Sequence, residues 1–262
     1  MAADLAESAD SRPRRSTRYT GFVLLFGLLL LWEWSARSWV SSTNWPPVTE
    51  IVRSGFGSMA SGELPQAFGS SLSRMLAGYG IGTVLAIAIG LLMAGFSWVR
   101  AALEPLFELL RPIPIPAIVP PLILILGIDD AMKIFVVTFS VFFPVLINTI
   151  AGVRSVDPIA HDVARTFQMG RVATVFKVVL PASLPYILAG MRVSLALALI
   201  VTVVAEMIAG SEGIGYYLVT MQYAMRAGDM YASIFLLAAT GYGLNRGILA
   251  VEHRLLHWFH RG

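Results

Sequence analysis

Six long apolar stretches, at roughly 20–40, 69–95, 104–127, 132–153, 183–209 and 231–251, constrain this chain more than any motif does. About 20 apolar residues of helix cross a hydrocarbon layer of ~30 Å. Inside that layer the backbone finds no water, and a helix satisfies its own polar groups. The expectation is an all-α polytopic membrane protein with about six transmembrane helices. Composition agrees. Of 262 residues, 56% are hydrophobic and 13% charged, and the mean hydropathy is +0.73. A soluble domain of this length would need more charge. There is no cysteine, so disulfide and thiolate chemistry are excluded. Residues 1–19 are polar, carry Arg12, Arg14, Arg15 and Arg18, and read as a cytoplasmic tail. Residues 20–262 read as one transmembrane domain. The run Phe22–Trp32 has the apolar character of a signal-peptide core, but no A-x-A-type cleavage site follows. Trp32, Trp34 and Trp39 suit interface anchors, so the run is read as an uncleaved first span.

One polar island, Val156–Pro181, interrupts the apolar pattern: VDPIAHDVARTFQMGRVATVFKVVLP. It is itself helical in period. Ala160, Val163, Ala164 and Phe167 fall at i, i+3, i+4 and i+7. Asp157 suits an N-cap and Pro158 the first helical position. Gly170-Arg171 breaks the run, a second face follows at Val172, Val175, Phe176 and Val179, and Leu180-Pro181 ends it. An amphipathic helical hairpin between two spans has to bury its apolar face against the membrane surface or another protein.

Placement of Lys and Arg sets the orientation. With the N-terminus in the cytoplasm, Arg37, Arg53, Arg74, Lys133 and Arg226 fall outside, and Arg192 and Arg246 fall within spans. The other 12 of the 19 basic residues, Arg111 among them, fall inside. Both termini and the island are then cytoplasmic.

The island resembles the Glu-Ala-Ala loop of permease subunits in ABC importers. That pattern has an acid, two small residues, a glycine four positions later and a closing Leu-Pro. Here Asp162, Val163, Ala164 and Leu180-Pro181 occupy those places, with Gln168 where the family usually has glycine. Glycine there would permit a positive-φ turn; Gly170 is expected to take over the turn, or the turn to fall tighter or later. Leu30–Arg37 (LLWEWSAR), Leu110–Phe135 (LRPIPIPAIVPPLILILGIDDAMKIF) and Ala205–Leu218 (AEMIAGSEGIGYYL) resemble further segments of the nitrate/sulfonate/taurine-type branch. Ile125-Leu126 stand where that branch usually has Trp-Phe. The likeness covers roughly residues 25–255.

That resemblance implies a function and a set of residues. Asp162, Val163, Ala164, Arg165, Phe167, Gln168, Gly170, Leu180 and Pro181 would couple the chain to an ATPase. Val163, Ala164 and Phe167 would lie in the ATPase groove, with Asp162 and Arg165 at its rim. Two copies would form the path, two ATPase subunits would carry ATP and Mg, and an extracytoplasmic binding protein would deliver the substrate. The expected setting is the bacterial inner membrane, in contact with lipid, with no nucleic-acid partner. The substrate would be a small anion such as a sulfonate, nitrate or organic acid.

Other residues admit two readings. Pro114, Pro116 and Pro120, with Pro112 and Pro121, break helix hydrogen bonds in the third span. They make either a gate or a shape-setting kink. Glu206 and Arg192 are costly charges in the fifth span. They are 14 residues apart, hence ~21 Å along a helix, too far to pair. Glu206, with Gly213 and Gly215 after it, serves either an outer gate or a structural hydrogen bond. Gly78, Gly80, Gly82 and Gly90 fit close helix packing. His253, His257 and His260 fit a basic surface tail better than a metal site. The two lysines, Lys133 and Lys177, follow Met132 and Phe176, so neither is a P-loop lysine. No catalytic residue, metal or cofactor is expected in the chain itself. A non-transporting membrane scaffold and an ion-coupled carrier are the alternatives; a carrier would ordinarily show paired halves or midplane ionisable groups.

Overall fold

The computed structural model describes residues 16–40 and 42–256. The expected tail up to residue 15, and His257 and His260, lie outside them. Every regular element among the described residues is helical. They are α1 (Ser16–Ser38), α2 (Val48–Ala60), α3 (Glu63–Gly95), α4 (Ser97–Leu110), α5 (Ile115–Leu126), α6 (Asp130–Arg154), α7 (Pro158–Thr166), α8 (Arg171–Thr174), a π-helical turn at Val175–Val179, α9 (Leu180–Ala209), α10 (Ile214–Tyr223) and α11 (Ala227–Leu255). Helix α1 begins at Ser16, inside the expected tail.

Among the described residues, five helical runs are long and apolar enough to cross a membrane: Gly21–Ser38, Glu63–Gly95, Asp130–Arg154, Arg171–Ala209 and Ala227–Leu255. The sixth candidate is the pair α4–α5, which bends by 100°. The third apolar stretch is thus broken, as a bent span or a re-entrant pair. Pro112 and Pro114 have no N–H, and Ile113 turns back onto the Leu110 carbonyl at 3.2 Å, so α4 stops and α5 restarts after Pro114.

Helices α3, α6 and α9 form the centre, packed around Met75, Val137, Val141, Val145 and Ala198. Small residues let α3 and α6 approach. A methyl at Gly78 would meet Val137 Cβ at 2.7 Å, one at Gly82 the Thr138 carbonyl at 2.8 Å, and one at Gly90 the Thr149 side chain at 2.8 Å. At Gly80 a methyl meets open space, so the packing role holds for three of the four glycines. Helix α2 packs against α11. Trp32 of α1 stacks on Trp45 at 4.8 Å and meets Tyr231 edge-on, tying α1 to α11.

The hairpin does not end at Leu180-Pro181. Arg171–Ala209 is one 39-residue helical run, so the second arm continues into the span. Pro181 has no N–H to offer the Lys177 carbonyl. The chain absorbs the defect with the π-turn, in which Leu180 N–H bonds the Val175 carbonyl five residues back.

Candidate functional site

At one end of the bundle, α3 carries a guanidinium into a set of carboxylates. Arg74 is 2% exposed; its Nη1 donates to Glu206 Oε1 of α9 at 3.0 Å. Its Nε pairs with Asp130 at the start of α6, and its Nη2 with Glu212 in the turn after α9. Glu206 is fully buried, and its Oε2 accepts from Ser71 Oγ at 2.6 Å and Gly215 N at 3.1 Å. Ser71 Oγ in turn accepts from Ile214 N at 2.7 Å. One carboxylate therefore joins α3, α9 and the start of α10. The backbone is shaped around it. Gly213 has φ +105°, and a methyl there would fall on the Glu206 carboxylate; one at Gly215 would fall on the Val203 carbonyl. Lys133, also buried, interacts with Asp130, Glu206 and Asp129 and is repelled by Arg74. Two cations face four acids, and the cluster fastens elements together.

A second network borders it. Asp229 of α11 accepts from Ser58 of α2 and from Arg226 Nε at 2.9 Å. Tyr217 of α10 donates to Ser58 Oγ at 3.1 Å, and burial pushes its phenol above the ordinary range. Arg192 pairs with Glu252 of α11 and so is not a partner of Glu206. Arg246 donates to Tyr242 Oη at 3.0 Å and lies over its ring.

The other end of α9 carries the hairpin. Leu180 and Glu206 are 26 residues apart on that helix, ~39 Å, which exceeds a ~30 Å hydrocarbon core. Asp157 caps α7 through Ile159 N at 2.8 Å, with Pro158 in the first turn. The outer face of the hairpin is an apolar ridge: Ile159, Val163, Phe167, Val172 and Phe176 are all at least half exposed. Ala164 departs from expectation. It is 2% exposed, buried within the chain, and therefore does not belong to the outward face with Val163 and Phe167. Asp162 and Arg165 are exposed and 3.5 Å apart, a weak pair. Gln168 itself takes the left-handed turn, at φ +51°, while Gly170 has an ordinary φ of −63°. The expected relief by Gly170 does not occur, because Met169 N reaches back to the Ala164 carbonyl and the reversal falls at Gln168, two residues before Gly170.

Residues 82–247 match the family described as binding-protein-dependent transport system inner membrane component. The chain belongs to that family. This ABC-importer permease is 34% identical to the putative aliphatic sulfonates transport permease protein of Bacillus subtilis, over 97% of its own length and 93% of that protein. It is 31% identical to the bicarbonate transport system permease protein of Synechococcus elongatus, over 71% of its length and 68% of that protein. Its fold is shared with an inward-facing MetNI methionine ABC transporter structure, at TM-score 0.63 and 16% identity, covering 71% of this chain and 92% of that one.

The permease brings Glu206, Gly213 and Gly215 into one cluster, while Pro114, Pro116 and Pro120 belong to the broken span. Sequence reasoning counted Arg74 and Lys133 on the outer side, at the ends of their spans; the bundle buries both. The signal was available. Arg74 follows Ser70, Ser71 and Ser73 within a segment otherwise bounded by Leu72, Met75 and Leu76, and α3 starts six residues before the expected span.

Proposed function

We propose that this permease moves a small anion, such as a sulfonate, through an ATP-driven cycle of alternating access. A second copy completes the path. The hairpin end is cytoplasmic, as are both termini, and each hairpin seats one of two ATPase subunits that bind ATP and Mg. A binding protein delivers cargo at the opposite face, where the Arg74–Glu206 cluster serves as the outer gate. The sulfonate and bicarbonate relatives support the cargo class. The observation that carries the reading is the exposure of Ile159, Val163, Phe167, Val172 and Phe176 on a hairpin whose first arm, α7, is capped and too short to span. Exposed apolar ridges outside a membrane call for a partner.

ATPase activity of the complex in lipid nanodiscs tests it, using the chain co-expressed with its ATPase. The binding protein should stimulate the wild-type complex. Phe167→Asp should abolish stimulation with the permease still folded. A permease that never co-purifies with an ATPase would sink the reading and return the ridge to the membrane surface.

A further inference from the structure

The bend of the broken span opens a cavity of about 360 Å³ against the middle of α6 and against Leu197 of α9. That volume lies at the lower end of small-ligand sites. Residues 139–148 of α6 line it, midway along a 25-residue helix, so the cavity lies near mid-depth of the spans. Arg111, at the break between α4 and α5, also lines it. A charge at that depth is costly and calls for a counter-charge or a wet cavity. Three other cations within the spans have partners: Arg74 has three carboxylates, Arg192 has Glu252, and Arg246 has Tyr242. Arg111 has no ion pair or side-chain hydrogen bond among the described residues, and no acid among them lines the cavity.

The remaining lining suits one class of ligand. Asn148 Nδ2 donates to the Pro144 carbonyl at 2.8 Å, which leaves its second N–H unspent. The Ser140 hydroxyl, now bonded to the Val137 carbonyl, can rotate toward the cavity. Ile115, also in the lining, is in the first turn of α5, whose dipole favours negative charge. Phe139, Phe143 and Ile147 supply apolar wall. A guanidinium matches the paired oxygens of an oxyanion. We infer that this cavity is an anion subsite within the membrane path, in which Arg111 holds the oxyanion head of a small sulfonate-like cargo and the Phe139–Phe143 wall covers its alkyl part. The inference rests on the anion-permease reading above and names where the cargo would be held.

The absence of native cysteine allows a direct test on the full chain in nanodiscs with its ATPase. Ile147→Cys places a thiol in the cavity wall. Its reaction rate is measured with 2-sulfonatoethyl and 2-trimethylammonioethyl methanethiosulfonate, each divided by the reagent's rate with a free thiol. The anionic reagent should be favoured by roughly tenfold or more. Adding Arg111→Gln should remove that preference, Arg111→Lys should keep most of it, and ethanesulfonate should slow labelling only where the charge remains. A preference indifferent to Arg111→Gln, or no labelling by either reagent, overturns the subsite. Retention of the ATPase through purification is read on the same samples. Its loss in the wild type would sink the importer reading while the labelling result stands by itself.

Discussion

The Arg74 guanidinium lies 3.0 Å from the Glu206 carboxylate, with both side chains buried and contributed by helices that cross the bundle separately. The buried Glu206 charge is tolerable because Arg74 lies beside it. Arg74→Met would leave Glu206 buried and unpaired, whereas Asp130 and Glu212, more than half exposed, could turn to water. The expected loss is about 3–5 kcal/mol. Arg74→Met with Glu206→Met should recover a substantial part of it. Thermal unfolding in detergent measures both; a double variant no more stable than Arg74→Met alone would refute the pairing.

Glycines in α3 provide an internal control on packing. Gly80→Ala meets open space and should be neutral or stabilise by up to ~1 kcal/mol through helix propensity. Gly78→Ala must push against Val137 and should destabilise by about 1–3 kcal/mol. Gly213→Ala combines φ +105° with collision against the Glu206 carboxylate and should be the worst of the three. The order of their melting temperatures is the readout.

The hairpin turn carries backbone strain at Gln168, which is not relieved by Gly170 two residues on. Gln168→Gly should therefore stabilise the hairpin by about 1 kcal/mol. Gly170→Ala, with ordinary φ and open space around it, should change little. Amide hydrogen exchange across residues 163–172 reports both. Faster exchange in Gln168→Gly would show that the glycine's added freedom outweighs the relief.

The contrast between these sites shows what the chain's order of residues discloses. Spans were legible because lipid demands long apolar helices, and the Asp157-Pro158 start of α7 was legible because capping is local. Ala164 was misplaced because periodicity identifies a face without saying whether the chain's own body or a partner covers it. Arg74 and Lys133 were misplaced because a positive-inside count treats charge near a span end as solvated, whereas Arg74's carboxylates come from segments 56 to 138 residues away in sequence. The broken span was foreseeable from its prolines, but not that its bend would bring Arg111 onto α6.

Pro181 links the hairpin to the span mechanically. Its missing N–H leaves the Lys177 carbonyl without the usual donor, and the π-turn at Val175–Val179 accommodates that loss. Pro181→Ala restores the donor, so the turn should relax to α-helix. Removing the extra residue of the π-turn rotates Arg171–Thr174 about the axis of α9 by ~100°. Val172 would then leave the ridge shared with Val163 and Phe167. The variant should melt at the same temperature as the wild type or higher, yet bind the ATPase at least tenfold more weakly. Equal affinity, measured by titrating ATPase onto the permease in nanodiscs, would show that the ridge is not read as one surface.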